Sequence, residues 1–424
     1  MEQHDVVVVG AGQAGLAASH HLAARGIEHV VLEAGEIGES WQSRRWDSFT
    51  LVTPNWANRL PGFCYRPDQP DVFLPRAEIV AMLRAFAAGL AAPIRTGVRV
   101  DSLERASGGP GFRLGTSVGP VAARAVVVAA GFLARPNLPS FARLLPGRIR
   151  QLSSSEYRSP EALPAGAVLV VGSAQSGCQI AEELNDRGRR VYLSVGSAGR
   201  VPRRYRGLDV IRWLEMAGRF DLPEDRWPDP RGRFAPNPHV SGTRGGHTLN
   251  LHRFCRDGIR LLGRVEGVDG ERLLLAPDLH QQLARVDAFA DTFLKQVDEV
   301  VATHGLDVPP ADLDDPANWD EYPGDDGYRA PIEQTLDLAA AGISTVVWAG
   351  GFRPDLGWIR LPALDATGCP VHRAGITAEP GLAFVGIKFQ TRNASDLLLG
   401  VGDDARFVVD QVAGLLGARS GAGD

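Results

Sequence analysis

Three glycines, Gly10, Gly12 and Gly15, stand at the spacing GxGxxG directly after the valines Val6 to Val9. Those residue types at that spacing are what a bound pyrophosphate requires. The first glycine permits a tight turn, the second lets phosphate approach the backbone, and the third lets helix pack on strand. Gln13 and Ala14 complete the turn, and the alanine-rich stretch 15–25 would aim the positive end of a helix at the phosphates. A second apolar run, HVVLEAG, ends in Glu33, where a carboxylate can accept a ribose 2′-hydroxyl. Consecutive valines suit a strand covered on both faces, so the turn is expected on a parallel sheet.

The same grammar returns in AVLVVGSAQSGCQIAEEL, where Gly172, Ala174 and Gly177, with Gln175 and Ser176 between them, repeat the turn with alanine in the middle. One added methyl is compatible with a looser approach of the pyrophosphate. The position matching Glu33 is Val195, so no carboxylate stands there; Arg200, Arg203 and Arg204 follow instead. Arginines are what a ribose 2′-phosphate needs, although a solvated basic loop reads the same way. The first site is therefore expected to take FAD and the second NADPH.

Positioning these turns calls for an α/β fold with two Rossmann-like dinucleotide-binding domains, the NADPH domain inserted into a discontinuous FAD domain. The expected division is 1–164, 165–352 with an insertion at about 207–330, and 353–424. Val100, in the short strands of 94–103, and Ala130 and Gly131, closing the apolar run 122–132, are expected beside FAD. Helices are expected over 76–90, 210–217, 279–303 and 403–416. The last of these would turn its N-terminus, with Asp403 and Asp404, toward the flavin's pyrimidine edge; Asp404 is counted with the cofactor and capping is the default role of both.

With 424 residues the chain can hold two or three domains. The formal net charge of -5 leaves no basic footprint for nucleic acid. No apolar run of about 18 residues or leader-type start occurs, so a soluble cytoplasmic protein that meets no membrane is expected. Cys64, Cys178, Cys255 and Cys369 lie far apart without a CxxC, which argues against a dithiol centre or a zinc knuckle. His239, His247 and His252 fit no helical face and have no acidic ligand interleaved, so no metal is expected. The Pro- and Asp-rich run 307–327 reads as a solvated loop.

Residues 35–56 are too aromatic and too rich in arginine for a bland connection. Trp41 and Trp46 can wall a planar cofactor, while Arg44 and Arg45 can meet phosphate or a pyrimidine carbonyl. Lys388 is one of two lysines, with Lys295, and follows the apolar run LAFVG. It can bind an acidic substrate or interact with a flavin, or it can snorkel from a strand end to water.

The wording of GAGQAG, ESWQSRRWDSFTLVTPNW, SEYRSP, VVGSAQSG, WAGGFRPDLGWI and LLLGVGDDA resembles the flavin-containing monooxygenase family, single-component class B, in its bacterial branch. The resemblance implies a monooxygenase in which NADPH reduces FAD and a C4a-(hydro)peroxyflavin oxygenates a small molecule. N- or S-oxidation, hydroxylation and Baeyer-Villiger chemistry are all open, with molecular oxygen as co-substrate and secondary metabolism as setting. It also places Asn55 close to the flavin. The departures are specific: the family's linker histidine falls on Ser153, the ATG elements read Ala129–Gly131 and Ala349–Gly351, and Lys388, Phe389 and Gln390 stand where tryptophan and histidine are expected. Two alternatives stay open, a flavin oxidase or dehydrogenase independent of NADPH and a noncatalytic flavin-binding redox sensor. A homodimer is left open as well.

Overall fold

The computed structural model describes residues 1–107, 109–131, 134–229, 231–311 and 324–420. Two sheets organise them. The first runs in the order Ile94–Arg95, His29–Leu32, Glu2–Val9, Val121–Val128, Phe112–Thr116, Val100–Arg105, with Leu382–Phe384 also beside Val121–Val128. Its central strands are parallel, and Val6, Val7 and Val8 are wholly buried because helices and an apolar layer cover both faces. The second sheet is parallel throughout: Arg150–Ser153, Ile343–Trp348, Ala167–Val171, Val191–Ser194 and Arg260–Leu262.

The first boundary differs from the expected one. Arg150–Ser153 pairs with Ile343–Trp348, so the second sheet has begun well before residue 165. This edge strand carries one buried leucine, Leu152, among polar residues, and its membership is decided by its partner rather than by its own pattern. The chain passes between the sheets at one place. Arg135–Pro136 on the way out pairs antiparallel with Phe352–Arg353 on the way back, and Asn137 N–H donates to the Gly351 carbonyl at 2.9 Å.

The expected helices are observed at Arg76–Ala88, Val210–Met216, Leu279–His304 and Val401–Ser420. The last packs beside the helix Gln13–Ala24 and runs in the same direction. The Gly402 carbonyl accepts from His21 Nε2 at 3.1 Å, and Arg25 pairs with Asp410. Its N-terminus therefore lies beside the far half of the helix Gln13–Ala24, roughly two turns from the glycine turn. The buried face Val401, Ala405, Val408 and Val412 holds it there. Of the run 307–327, residues 312–323 lie outside the described ones, as does Phe132.

Candidate dinucleotide sites

Both glycine turns have the same backbone. Gly10 and Gly172 are left-handed at φ 109° and 107°, and Gly12 and Ala174 precede their helices at φ -81° and -78°. A Cβ on Gly10 would strike the Ala129 carbonyl, and one on Gly172 the Ala349 carbonyl. Thus the AAG and AGG elements form the backs of the two turns, with Ala130, Gly131 and Gly350 exposed at their rims. A Cβ on Gly15 or Gly177 would run into the carbonyl of Gly10 or Gly172, so only glycine lets each helix sit this close. Gly12 has nothing within 4 Å of a built Cβ. Among the described residues no acceptor meets the amides of residues 12–14 or 174–176, leaving two sets of N–H groups aimed outward at helix N-termini. Ala14 and Ser176 lie in these first turns.

Glu33 follows the strand His29–Leu32 and accepts from Ala11 N–H at 2.7 Å and Gly35 N–H at 2.9 Å. Each carboxylate oxygen keeps a lone pair for a hydroxyl. Trp41 Nε1 donates to Gln13 Oε1 at 3.0 Å, and Gln13 Nε2 donates to the Asp396 carbonyl at 2.7 Å, which ties the first turn to the C-terminal segment. Arg45 stacks over Trp41 at 5.3 Å and Phe49 at 5.5 Å and donates to the Arg44 carbonyl. Burial, with Arg44 beside it, pushes this guanidinium down to about 10. Val100 is buried with Val9 and Leu32 in the apolar layer of the first sheet, two residues after Val98, whose N–H donates to the Glu33 carbonyl at 2.8 Å.

Asn55 spends its amide N–H groups on the carbonyls of Tyr65, Arg66 and Gln69, at 2.6 to 3.2 Å, while its buried Oδ1 has no partner among the described residues. Lys388 Nζ donates to the Ala235 carbonyl at 3.0 Å. Burial lowers its pKa against the opposing charges of Asp396, Glu224 and Asp229. Burial likewise pushes Asp396 up to about 6 despite Lys388. Next to them Phe389 holds φ 58°, with its ring edge-on to Trp227 at 5.2 Å. Asp404 is buried and accepts from Thr391 Oγ1 at 2.6 Å. Ser153 donates to Glu156 Oε2 at 2.7 Å, and Tyr157 to Glu183 Oε2 at 2.8 Å.

The three arginines of the second site have partners the sequence does not reveal. Arg203 is fully buried, grips both oxygens of Asp209 at 2.5 and 2.6 Å, and donates to the Val52 carbonyl. Arg204 donates to the carbonyls of Gly245 and Gly246. Arg200 pairs with Asp287 at 3.1 Å. Each therefore has partners within the chain that tie the insertion together. Gln175 in turn receives the Val240 N–H on Oε1 at 3.3 Å and donates to the same residue's carbonyl.

Residues 7–209 match the family described as pyridine nucleotide-disulphide oxidoreductase. Over 411 residues the chain is 30% identical to an uncharacterized CzcO-like oxidoreductase of Geobacillus kaustophilus, covering 96% of this chain and 98% of that one. The chain belongs to the CzcO-like oxidoreductases. Its fold is shared with a doubly substituted flavin monooxygenase from Stenotrophomonas maltophilia, at 20% identity and TM-score 0.67 over 98% of this chain and 99% of that one. OTEMO, solved in complex with FAD and NADP, aligns at 17% identity and TM-score 0.55 over 97% of this chain and 86% of that one. The four cysteines of this CzcO-like oxidoreductase are all free. Among the described residues no cluster could hold a metal, and no helix is long and apolar enough to cross a membrane.

Three histidines of this oxidoreductase, His239, His247 and His252, pack its insertion. His247 Nε2 meets Glu182 at 2.8 Å. His239 is fully buried, and burial with Arg200 nearby pushes it down to about 3, against the backbone of Leu249 and Ser173. His252 Nε2 lies 3.0 Å from Asp287 Oδ2, which also accepts from Tyr328 at 2.6 Å. Burial alone would raise Asp287, but these hydrogen bonds and the Arg200 charge outweigh it and hold the carboxyl at about 2. A depressed acid stabilises the fold above its unfolded pKa near 4, and that contribution is lost as pH falls through 2. Asp287→Asn should therefore remove about 2 kcal/mol at pH 6 and close to nothing at pH 2. Urea melts of the two proteins across that window check it; parallel curves would refute it.

Proposed function

We propose that this chain is an FAD-dependent monooxygenase that takes hydride from NADPH and uses molecular oxygen to oxygenate a small molecule. One observation carries the reading: two glycine turns of the same backbone geometry, each with outward amides at a helix N-terminus, in one chain whose sheets are joined at a single crossing. The likeness to a flavin monooxygenase and to a protein solved with FAD and NADP supports it. Gly10, Gly12, Gln13, Ala14, Gly15 and Glu33 would hold FAD, and the open space at Gly12 fits its pyrophosphate. FAD, when bound, supplies the redox chemistry.

The chain's own part is to bind, orient and exclude water. Trp41, fixed by Gln13, and Arg45, stacked upon it, form a wall with a cation and no carboxylate partner among its contacts. Asn55 fixes the 65–69 loop and offers an unpaired acceptor, Oδ1. Lys388 and Asp396 bring opposite charges to the segment that Gln13 anchors, a position suited to a polar substrate. A second reading, a flavin oxidase independent of NADPH, is favoured by one observation: Arg200, Arg203 and Arg204 are all engaged with the chain itself.

Anaerobic mixing with NADPH and then NADH, followed by admission of air, separates the two. The monooxygenase reading expects NADPH to bleach the oxidised-flavin absorption faster than NADH, with oxygen uptake afterwards. A flavin that stays yellow under NADPH gives the site to the oxidase reading.

A further inference from the structure

We propose that the 2′-phosphate of the dinucleotide at the second turn is seated by Ser197 and Arg231. The inference rests on the reading that this turn binds a dinucleotide at all. The two sheets supply the register. Val9 faces Leu32 in the first and Val171 faces Ser194 in the second, so Val195 occupies the place of Glu33 and Gly196 and Ser197 are the next residues beyond the strand. In a Rossmann unit that is where the adenosine ribose lies. Gly196 N–H donates to Ser173 Oγ at 2.9 Å, which locks this loop to the glycine turn itself.

Ser197 is exposed, and the guanidinium of Arg231 reaches it from the insertion, with Nη1 3.0 Å from Ser197 Oγ. Asp229 grips the opposite edge of the same guanidinium through Nε at 2.9 Å and Nη2 at 2.5 Å. That grip orients the free edge toward the ribose loop. Nine residues on, Val240 is clamped at both its backbone groups by Gln175, the first residue of the helix behind the turn. The stretch from Arg231 to Val240 thus spans the ribose loop and the helix N-terminus. A hydroxyl and a guanidinium edge together offer the several donors that a 2′-phosphate uses best, and with valine in place of the carboxylate a bare 2′-hydroxyl loses the charged acceptor it has at the first turn. Coenzyme choice is therefore set by the insertion, through a residue distant in sequence from the strand that presents the ribose.

The test is titration of the flavin-loaded protein with NADP+, NAD+ and 2′,5′-ADP, read by tryptophan fluorescence, in the parent and in Arg231→Ala, Ser197→Ala and Arg204→Ala. The expected result is a loss of NADP+ and 2′,5′-ADP affinity of about tenfold or more for Arg231→Ala, and a smaller loss for Ser197→Ala. NAD+ affinity should stay within about twofold, and Arg204→Ala should match the parent. Both tested side chains are exposed, and thermal melts superimposable on the parent exclude a folding effect. Undiminished preference for NADP+ in Arg231→Ala overturns the seat while leaving the dinucleotide reading intact. A parent that binds neither coenzyme overturns that reading, and the seat with it.

Discussion

Gly15→Ala should give a protein that neither keeps flavin nor melts near the parent temperature. The added methyl would fall on the Gly10 carbonyl, a backbone group that cannot rotate away, so the first helix must lift off its strand. The cost is about 3 kcal/mol or more, at the upper end of overpacking, because two rigid backbones collide. Gly12→Ala provides the contrast. Its built Cβ meets nothing, its φ is -81°, and the second turn already carries alanine at this place in Ala174, at φ -78°. It should melt within about 0.5 kcal/mol of the parent yet bind flavin more weakly, since the methyl enters the space a pyrophosphate needs. Thermal melts together with the flavin-to-protein absorbance ratio separate the two effects. Equal melting of the two variants would contradict the argument, and Gly177→Ala should repeat the first result at the second turn while sparing flavin.

The second large effect belongs to Arg203. Its side chain is wholly buried, paired with Asp209, bonded to the Val52 carbonyl and stacked on Phe73 at 4.4 Å. Burial lowers its pKa, and the charge and hydrogen bonds of Asp209 resist that shift. Arg203→Ala leaves Asp209 facing an apolar gap and should cost about 3–5 kcal/mol. Arg203→Met combined with Asp209→Asn should cost less than Arg203→Ala alone, since no unpaired charge remains and asparagine can still accept from Ile211 N–H at the helix start. Denaturant melts of the three proteins decide it; a double variant no better than the single one would show that packing, not charge, sets the loss. Neither change should alter the preference for NADP+ over NAD+.

What could be read from the chain followed the range of the interactions. The glycine turns and the amphipathic run Leu279–His304 are exposed by local pattern, and Glu33 by its place at the end of the next apolar run. The arginines after the second turn had the right type and the right neighbourhood. The partners they have within the chain, Asp287 on a remote helix and Val52 in the other sheet's half of the chain, carry no sequence signature. Arg150–Ser153 was hidden for a related reason, since an edge strand with one apolar residue declares itself only by pairing. Arg231 escaped notice because its target loop lies more than thirty residues away. The last helix is docked by its own valine face onto the helix Gln13–Ala24.

The antiparallel pair of Arg135–Pro136 with Phe352–Arg353 makes the second sheet an excursion that ends where it began. Every strand of the second sheet falls between these two segments, and every strand of the first lies outside them. The chain is thus built like a bead threaded onto a closed ring. Cutting after Asn137 and before Gly351, whose backbones are already hydrogen-bonded, and closing the gap with a short turn would leave the first sheet with its own ends in contact. Modularity of this kind lets one nucleotide unit be exchanged for another without re-threading the rest, and it marks the junction at which a chimera should be made.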